Sequence, residues 1–228
     1  MEKKCVMFGS IGAVAETSDI QRRSYNAALS DAGLDWEWDR ETYSELLEQA
    51  GGKERLGMLS SATNAGLGDQ KIEQIHEDKT QKACDTLREK GVSTRPGVKA
   101  LVDHAKANGA KVAFVTTTYQ PNIDAIFEAS DLSRDDFDYV GTRDDVSQGK
   151  PSPDCYERAL EELGVSADDC IAIEDTANSV QSAKRAGIDV IATPGELTSD
   201  QDFWQADLVI DSLGDDTQVD TRVANMLA

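Results

Sequence analysis

The sequence predicts an α/β fold built on a parallel sheet, with a helical domain inserted after the first strand. The first observation is that short apolar runs alternate with helical segments from Pro96 onward. The second is that an apolar run at Cys5–Phe8 precedes a block, from Trp36 to Glu89, with helical spacing and no strand alternation. Strands that alternate with helices imply right-handed parallel crossovers and a three-layer core. We therefore expect an α/β core domain from residues 1–17 and 94–228 and an α-helical cap domain from residues 18–93.

The first strand and the cap are predicted from local patterns. Cys5–Phe8 is apolar and is followed by Gly9 and Gly12, as expected for a buried strand that ends in a loop. Ser18 with Gln21 three residues later has the pattern of a capping box, and Gly33 ends the helix that Ser18 begins. Three-to-four spacing of apolar residues then predicts cap helices over Tyr43–Leu47, Arg55–Leu59 and Ile72–Leu87.

The remaining elements follow from the same signals in the second half of the chain. Strands are predicted at 111–115, 137–140, 170–173, 189–192 and 208–210, and helices at 98–107, 123–129, 154–163 and 177–186. The tail after Gly214 is predicted to be a short amphipathic piece or a frayed end.

Charge and cysteine content limit the partners and the cellular compartment that we expect. Asp and Glu number 43 against 23 Lys and Arg, a net charge of −20. Because nucleic acids and anionic membranes require positive charge on the contact face, we expect neither as a partner. The four cysteines are widely spaced, and no targeting, lipidation or membrane-spanning segment is visible, which predicts a reducing cytoplasm.

Polar side chains follow several of the predicted strands. Thr116 and Thr117 follow the second strand, Glu174 and Asp175 follow the fourth, and Lys150 lies in Gly149-Lys150-Pro151. A hydroxyl and a lysine suit phosphate oxygens, and paired carboxylates suit Mg²⁺. Taken singly, the threonine is more often a cap, the lysine a solvated charge and the acidic pair a helix N-terminal pair. Their order along one predicted sheet edge favours a phosphate site.

The motifs resemble those of the haloacid dehalogenase superfamily of hydrolases, in the helical-cap subgroup of β-phosphoglucomutases, phosphoglycolate phosphatases and CbbY proteins. The resemblance covers nearly the whole chain. Its segments are Phe8–Val14, Glu16-Thr17, Val112–Thr116, Gly149–Pro151, Ile171–Asp175 with Asn178, and the cap loop Gly51–Leu56. It implies a three-layer Rossmann-like core, Mg²⁺-dependent phosphoryl transfer from a small sugar phosphate, and a monomer.

The first motif departs from the family pattern. The resemblance places the nucleophilic aspartate at position 9 and the acid/base aspartate at position 11, where this chain has Gly9 and Ile11. Neither residue forms an aspartyl-phosphate or carries a proton, so phosphoryl transfer is predicted to be lost. Ser10 is expected to point away from the site, since consecutive residues leaving a strand face opposite sides. Neither His76 nor His104 is placed to activate it.

The other motifs are intact, which leaves three functions open. Thr116, Thr117 and Lys150 would hold a phosphate, Glu174 and Asp175 would hold a weakened Mg²⁺ site, and Lys53 and Arg55 in the cap would hold a second anionic group. The leading hypothesis is a catalytically impaired protein that binds a phosphorylated metabolite. The alternatives are an active phosphatase-type hydrolase that uses unrecognised groups, and a structural or interaction protein with an empty crevice.

Overall fold

A six-stranded, wholly parallel sheet forms the centre of the computed structural model, which describes residues 3–48, 51–215 and 217–228. The strand order is β3-β2-β1-β4-β5-β6, so β1 lies in the middle. The strands are β1 Cys5–Phe8, β2 Lys111–Val115, β3 Tyr139–Gly141, β4 Cys170–Glu174, β5 Asp189–Ala192 and β6 Leu208–Val209. Because β1 pairs with β2 on one side and β4 on the other, the loops after these three strands meet at one edge.

Ten α-helices accompany the sheet in the described residues. They are α1 Ile11–Val14, α2 Ser18–Asp31, α3 Arg40–Leu47, α4 Gly52–Ala62, α5 Asp69–Lys90, α6 Val98–Ala107, α7 Gln120–Ala129, α8 Asp154–Leu163, α9 Ala177–Arg185 and α10 Thr221–Leu227. None of the helices in the described residues has the length and apolar composition needed to cross a membrane.

The four central strands of the sheet are buried on both faces, which explains why each contains a run of buried apolar residues. Val6 and Phe8 of β1 belong to one hydrophobic cluster, whereas Cys5 and Met7 belong to the other. Successive side chains of a strand point to opposite faces, and a parallel sheet covered by helices on both sides buries each of them. The two clusters therefore define the three layers of the core.

The helices α2 to α5 form the cap and have a core of their own. Tyr25, Trp38 and Tyr43 contact one another there, with ring centroids 4.9–6.1 Å apart. The chain leaves and re-enters the sheet domain at adjacent points, since Ala15 and Thr94 form an isolated β-bridge. The predicted limits of the cap, 18–93, lie just inside this bridge and remain a prediction about domain structure.

The polar contacts that join the cap to the core include the following three. Ser44 Oγ donates to the carbonyl of Leu197 at 2.7 Å, and Asn178 Nδ2 donates to the carbonyl of Glu48 at 2.8 Å. Arg40 forms an ion pair with Glu196 at 2.8 Å. These contacts hold the cap over the edge of the sheet where β1, β2 and β4 end.

The local predictions differ from the structure at several points. The predicted capping box at Ser18 and Gln21 is absent, because Thr17 is the N-cap and the Ser18 N–H donates to the Glu16 carboxylate instead. β3 begins at Tyr139 rather than Phe137, whose ring packs in the core. The helix α1 was not predicted, and the tail contains α10, capped by Asp220.

Candidate functional site

A cleft of about 290 Å³ lies between the sheet edge and the cap. Its core end is lined by residues that include Ser10, Ile11, Thr117, Lys150 and Asp175. Its cap end is lined by residues that include Tyr25, Arg55, His76 and Lys79. The structure thus places most of the residues predicted from the sequence around one cavity, with the exceptions described below.

An ion pair dominates the core end of the cleft. The Lys150 ammonium lies 2.6 Å from Glu174 Oε1 and also donates to the backbone carbonyl of Gly9. Tyr156 donates its hydroxyl to the same Glu174 oxygen at 2.5 Å. Burial raises the pKa of Glu174, and the neighbouring Lys150 opposes that rise. Lys150 lines the cleft and is already paired with groups of the protein.

The space beside Gly9 is filled by other side chains. A Cβ at this position would overlap Glu174 Oε1 and the Tyr156 hydroxyl. The overlap is steric only, because Gly9 does not have a positive φ. The glycine therefore does more than remove a carboxylate, since Glu174 and Tyr156 occupy the space into which that carboxylate would project.

Ser10 points into the cleft, contrary to the prediction that it faces away. Its hydroxyl donates to Asp175 Oδ1 at 2.6 Å and accepts the N–H of Ala13 at 3.1 Å. The alternation rule applies within a strand, whereas Ser10 is the extended N-cap of α1. Burial raises the pKa of Asp175, and the Ser10 hydrogen bond opposes that rise. Asp175 Oδ2 lies against Gly12, where a Cβ would collide with it.

The threonines after β2 divide into two kinds. Thr116 is buried, and its hydroxyl is hydrogen-bonded to Thr118 Oγ1 at 2.9 Å. Thr117 and Thr118 line the cleft, whereas Thr116 does not. The Thr116 hydroxyl accepts the N–H of Thr118 at 3.1 Å. Thr116 therefore shapes the loop, whereas Thr117 and Thr118 line the cleft.

The residues at the core end do not fit Mg²⁺, the metal that the resemblance implies. Mg²⁺ requires octahedral oxygen coordination and is usually held by one or two carboxylates with several waters. Glu174 Oε1 is engaged by Lys150 and Tyr156, Asp175 is engaged by Ser10, and Gly9 supplies no carboxylate. Among the described residues, no group of three or more His, Cys, Asp or Glu side chains is arranged to hold a metal ion.

The cap end carries buried positive charge. Lys79 is 7% exposed and its ammonium lies 4.7 Å from the centre of the Tyr25 ring. Burial, together with the nearby Arg55 guanidinium, lowers the pKa of Lys79 to about 7. The salt bridges of the described residues include none to Lys79. A buried ammonium is stabilised by pairing with an anion, so this end is suited to an anionic ligand.

His76 lies beside Lys79 in the cleft wall. It is 8% exposed, and its ring centroid is 5.6 Å from that of Tyr119. Burial and the ammonium of Lys79 lower the pKa of His76 to about 4. His76 is therefore a neutral hydrogen-bonding group at pH 7.

The two cap residues predicted to bind an anion are placed differently. Arg55 lines the cleft, and its guanidinium lies 5.8 Å from the centre of the Tyr43 ring. Lys53 forms an ion pair with Glu73 at 2.6 Å and lies over the Tyr119 ring, in the wall of a neighbouring cavity. The structure therefore brings Arg55, and not Lys53, to the cleft.

Sequence reasoning missed Lys79 and Tyr156, and it considered His76 only as a base for Ser10 and set it aside. A signal existed for Lys79, because it falls on the buried stripe of α5 together with Ile75 and Ala83. A lysine in an apolar helical register is unusual unless it is paired or functional. Tyr156 had no comparable signal, since an aromatic residue on a helix normally belongs to the core.

A parallel α/β core with a helical cap over the carboxyl ends of its strands is the architecture of a class of hydrolases. The chain matches the family model of haloacid dehalogenase-like hydrolases over residues 6–187 and belongs to that family. The CbbY protein of Rhodobacter capsulatus is 40% identical over 215 residues, which cover 93% of this chain and 95% of the relative.

Solved structures agree with this assignment. CbbY from Rhodobacter sphaeroides in complex with phosphate superimposes with a TM-score of 0.85 at 37% identity, covering 93% of this chain and 95% of that one. A variant of the same protein, in complex with xylulose-(1,5)bisphosphate, has the same TM-score at 36% identity and the same coverage. A β-phosphoglucomutase from Clostridium difficile has a TM-score of 0.80 at 17% identity, which supports the fold alone.

Proposed function

We propose that this protein binds a small phosphorylated metabolite in the cleft and does not transfer its phosphoryl group. The observation that carries the proposal is Lys79, a buried ammonium that lines the cleft, has no carboxylate partner among the described residues and lies beside Arg55. A phosphate dianion would supply the missing partner through charge-assisted hydrogen bonds.

The loss of transfer follows from the first motif. Gly9 has no side chain to attack phosphorus, and Ile11, which lines the cleft, has no group that carries a proton. The absence of general acid–base catalysis alone lowers the rate roughly 10²–10⁴-fold. The absence of the nucleophile removes the covalent route as well.

The distribution of charge favours one phosphate at the cap end. The core end has one ammonium, Lys150, and two carboxylates, Glu174 and Asp175. With both carboxylates ionised this end has a net charge of −1, and protonating one of them makes it neutral. Thr117 and the core-end groups would then hold hydroxyls of a sugar, while Arg55 and Lys79 hold its phosphate. The phosphate position predicted at Thr116, Thr117 and Lys150 becomes the weaker of the two.

The comparisons support the chemical class of the ligand. A relative with similar coverage of both chains has been solved with phosphate and, as a variant, with a pentulose bisphosphate. We extend only the class, a phosphorylated sugar, to this chain. Because the core end lacks net positive charge, we expect a monophosphate to bind more tightly than the corresponding bisphosphate.

The second candidate, an active hydrolase that uses unrecognised groups, is favoured by the contact between Ser10 and Asp175. A hydroxyl 2.6 Å from a carboxylate is a nucleophile–base arrangement. Against it, the same hydroxyl accepts the N–H of Ala13 and serves as the N-cap of α1. Turnover that disappears in Ser10→Ala would establish this candidate.

Calorimetric titration with fructose 6-phosphate and fructose 1,6-bisphosphate tests the proposal. Wild type is compared with Lys79→Met and with Lys71→Met, a lysine on the same helix that does not line the cleft. We expect binding by wild type and Lys71→Met and its loss in Lys79→Met. If neither these two ligands nor a broader panel of sugar phosphates binds, the crevice is empty and the proposal fails.

A further inference from the structure

The core end of the cleft holds a cation that belongs to the protein itself. The Lys150 ammonium donates to the backbone carbonyl of Gly9 and to Glu174 Oε1. Its side chain is 7% exposed, so the ammonium is largely shielded from solvent. A carbonyl oxygen and a carboxylate oxygen are the kinds of ligand that hard divalent cations take in proteins.

The surrounding side chains are arranged for this ammonium. Tyr156 donates to the same carboxylate oxygen at 2.5 Å, and its ring centre lies 4.9 Å from Lys150 Nζ. Together, Glu174 and Tyr156 fill the space beside Gly9. Moving Lys150 away would leave the fully buried Glu174 carboxylate without its counter-charge, which is costly in a low-dielectric site.

One atom in the site is still available as a ligand for a cation. Glu174 Oε2 is buried and has no hydrogen-bond partner among the described residues. A single carboxylate oxygen with a bound lysine on its neighbour falls short of the coordination that Mg²⁺ demands. A trapped water would satisfy the same atom without any displacement of Lys150.

We infer that Lys150 occupies the cation position at the core end, so that the native protein takes up no divalent cation there. Ligand binding by the cleft is then the same with Mg²⁺ as with a chelator. The expectation that Mg²⁺ does not affect ligand binding rests on the proposed function, whereas the exclusion of the cation does not.

Titration with Mn²⁺, followed by electron paramagnetic resonance without any sugar phosphate, tests the exclusion. We expect wild type to show no saturable Mn²⁺ site that depends on Asp175. Lys150→Gln keeps a donor for the Gly9 carbonyl but removes the charge, and it should gain a site that disappears in Lys150→Gln/Asp175→Asn. Weak binding to the acidic surface is recognised because Asp175→Asn leaves it unchanged.

Two results would overturn the inference. An Mn²⁺ site in wild type that is lost in Asp175→Asn would show that the ammonium does not exclude the metal. The failure of folded Lys150→Gln to gain a site would show that Lys150 is not what excludes it. Failure of the proposed function looks different, since sugar phosphates would then bind neither with Mg²⁺ nor with a chelator, while the Mn²⁺ result still stands.

Discussion

Glu174 Oε1 lies where a side chain at Gly9 would begin, so the absence of a side chain at position 9 and the position of Glu174 are coupled. The coupling means that restoring an aspartate at position 9 requires Glu174, Tyr156 or the β1 loop to move. Reversal of the first motif is therefore harder than exchanging two residues.

We predict that Gly9→Ala destabilises the protein because its methyl group overlaps Glu174 and Tyr156. Overpacking of this kind typically costs about 1–3 kcal/mol of unfolding free energy. Adding Tyr156→Phe to the Gly9→Ala variant removes one of the two overlapping oxygens and should recover part of the lost unfolding free energy. Urea denaturation measures the effect, with Gly149→Ala as a matched control because no atom lies within 4 Å of its new methyl group. Equal stability of Gly9→Ala and Gly149→Ala would contradict the prediction.

Lys150→Met should destabilise the protein strongly because it leaves Glu174 buried without a counter-charge. Breaking a buried pair by removing one partner typically costs about 3–5 kcal/mol. Lys150→Met/Glu174→Gln should be more stable than Lys150→Met alone, since both charges are then absent. A double-mutant cycle in urea measures the coupling. Additive single-variant effects would show that the two charges do not stabilise each other.

Anion binding at the cap end should weaken as the pH rises through about 7, the pKa to which burial lowers Lys79. The ammonium that pairs with the phosphate is lost above this value, and a phosphate monoester is largely dianionic above about pH 6. Calorimetry from pH 6 to 9 measures the decline. Lys79→Arg keeps its charge throughout and should bind with no such decline. An identical pH profile for the two proteins would contradict the assignment.

Acid should destabilise the protein partly through His76. Its folded-state pKa of about 4 lies below the unfolded value of 6.5, so the unfolded state binds more protons between these two pH values. Stability therefore falls as the pH drops from about 6.5 towards 4. His76→Gln should lower the slope of unfolding free energy against pH in this window, whereas His104→Gln, on α6, serves as the control. Equal slopes in wild type and His76→Gln would contradict the prediction.

The fold was predictable because its signals are local. The central parallel strands contain apolar runs, and Gly109 and Gly164 mark helix ends with positive φ values. The capping box at Ser18 failed because Glu16, two residues earlier, took the N–H that the pattern assigned to Gln21. Short elements such as α1 carry too few residues for a periodic signal.

The site was predictable only in part, for a physical reason. Motif positions gave Lys150, Glu174 and Asp175, but the pairing of Lys150 with Glu174 depends on what fills the space beside Gly9. The charge of the cap end depends on Lys79, whose burial is set by tertiary packing against Tyr25. Contacts between segments that are distant in sequence cannot be predicted from the local pattern of either segment.

The central claim is that the cleft binds a sugar phosphate without cleaving it, and ³¹P nuclear magnetic resonance tests both halves in one sample. Wild type is incubated with fructose 6-phosphate and Mg²⁺, with Asp175→Asn as the control. We predict that the ligand resonance shifts or broadens on binding and that no inorganic phosphate resonance develops. Growth of inorganic phosphate with wild type but not with Asp175→Asn would contradict the account.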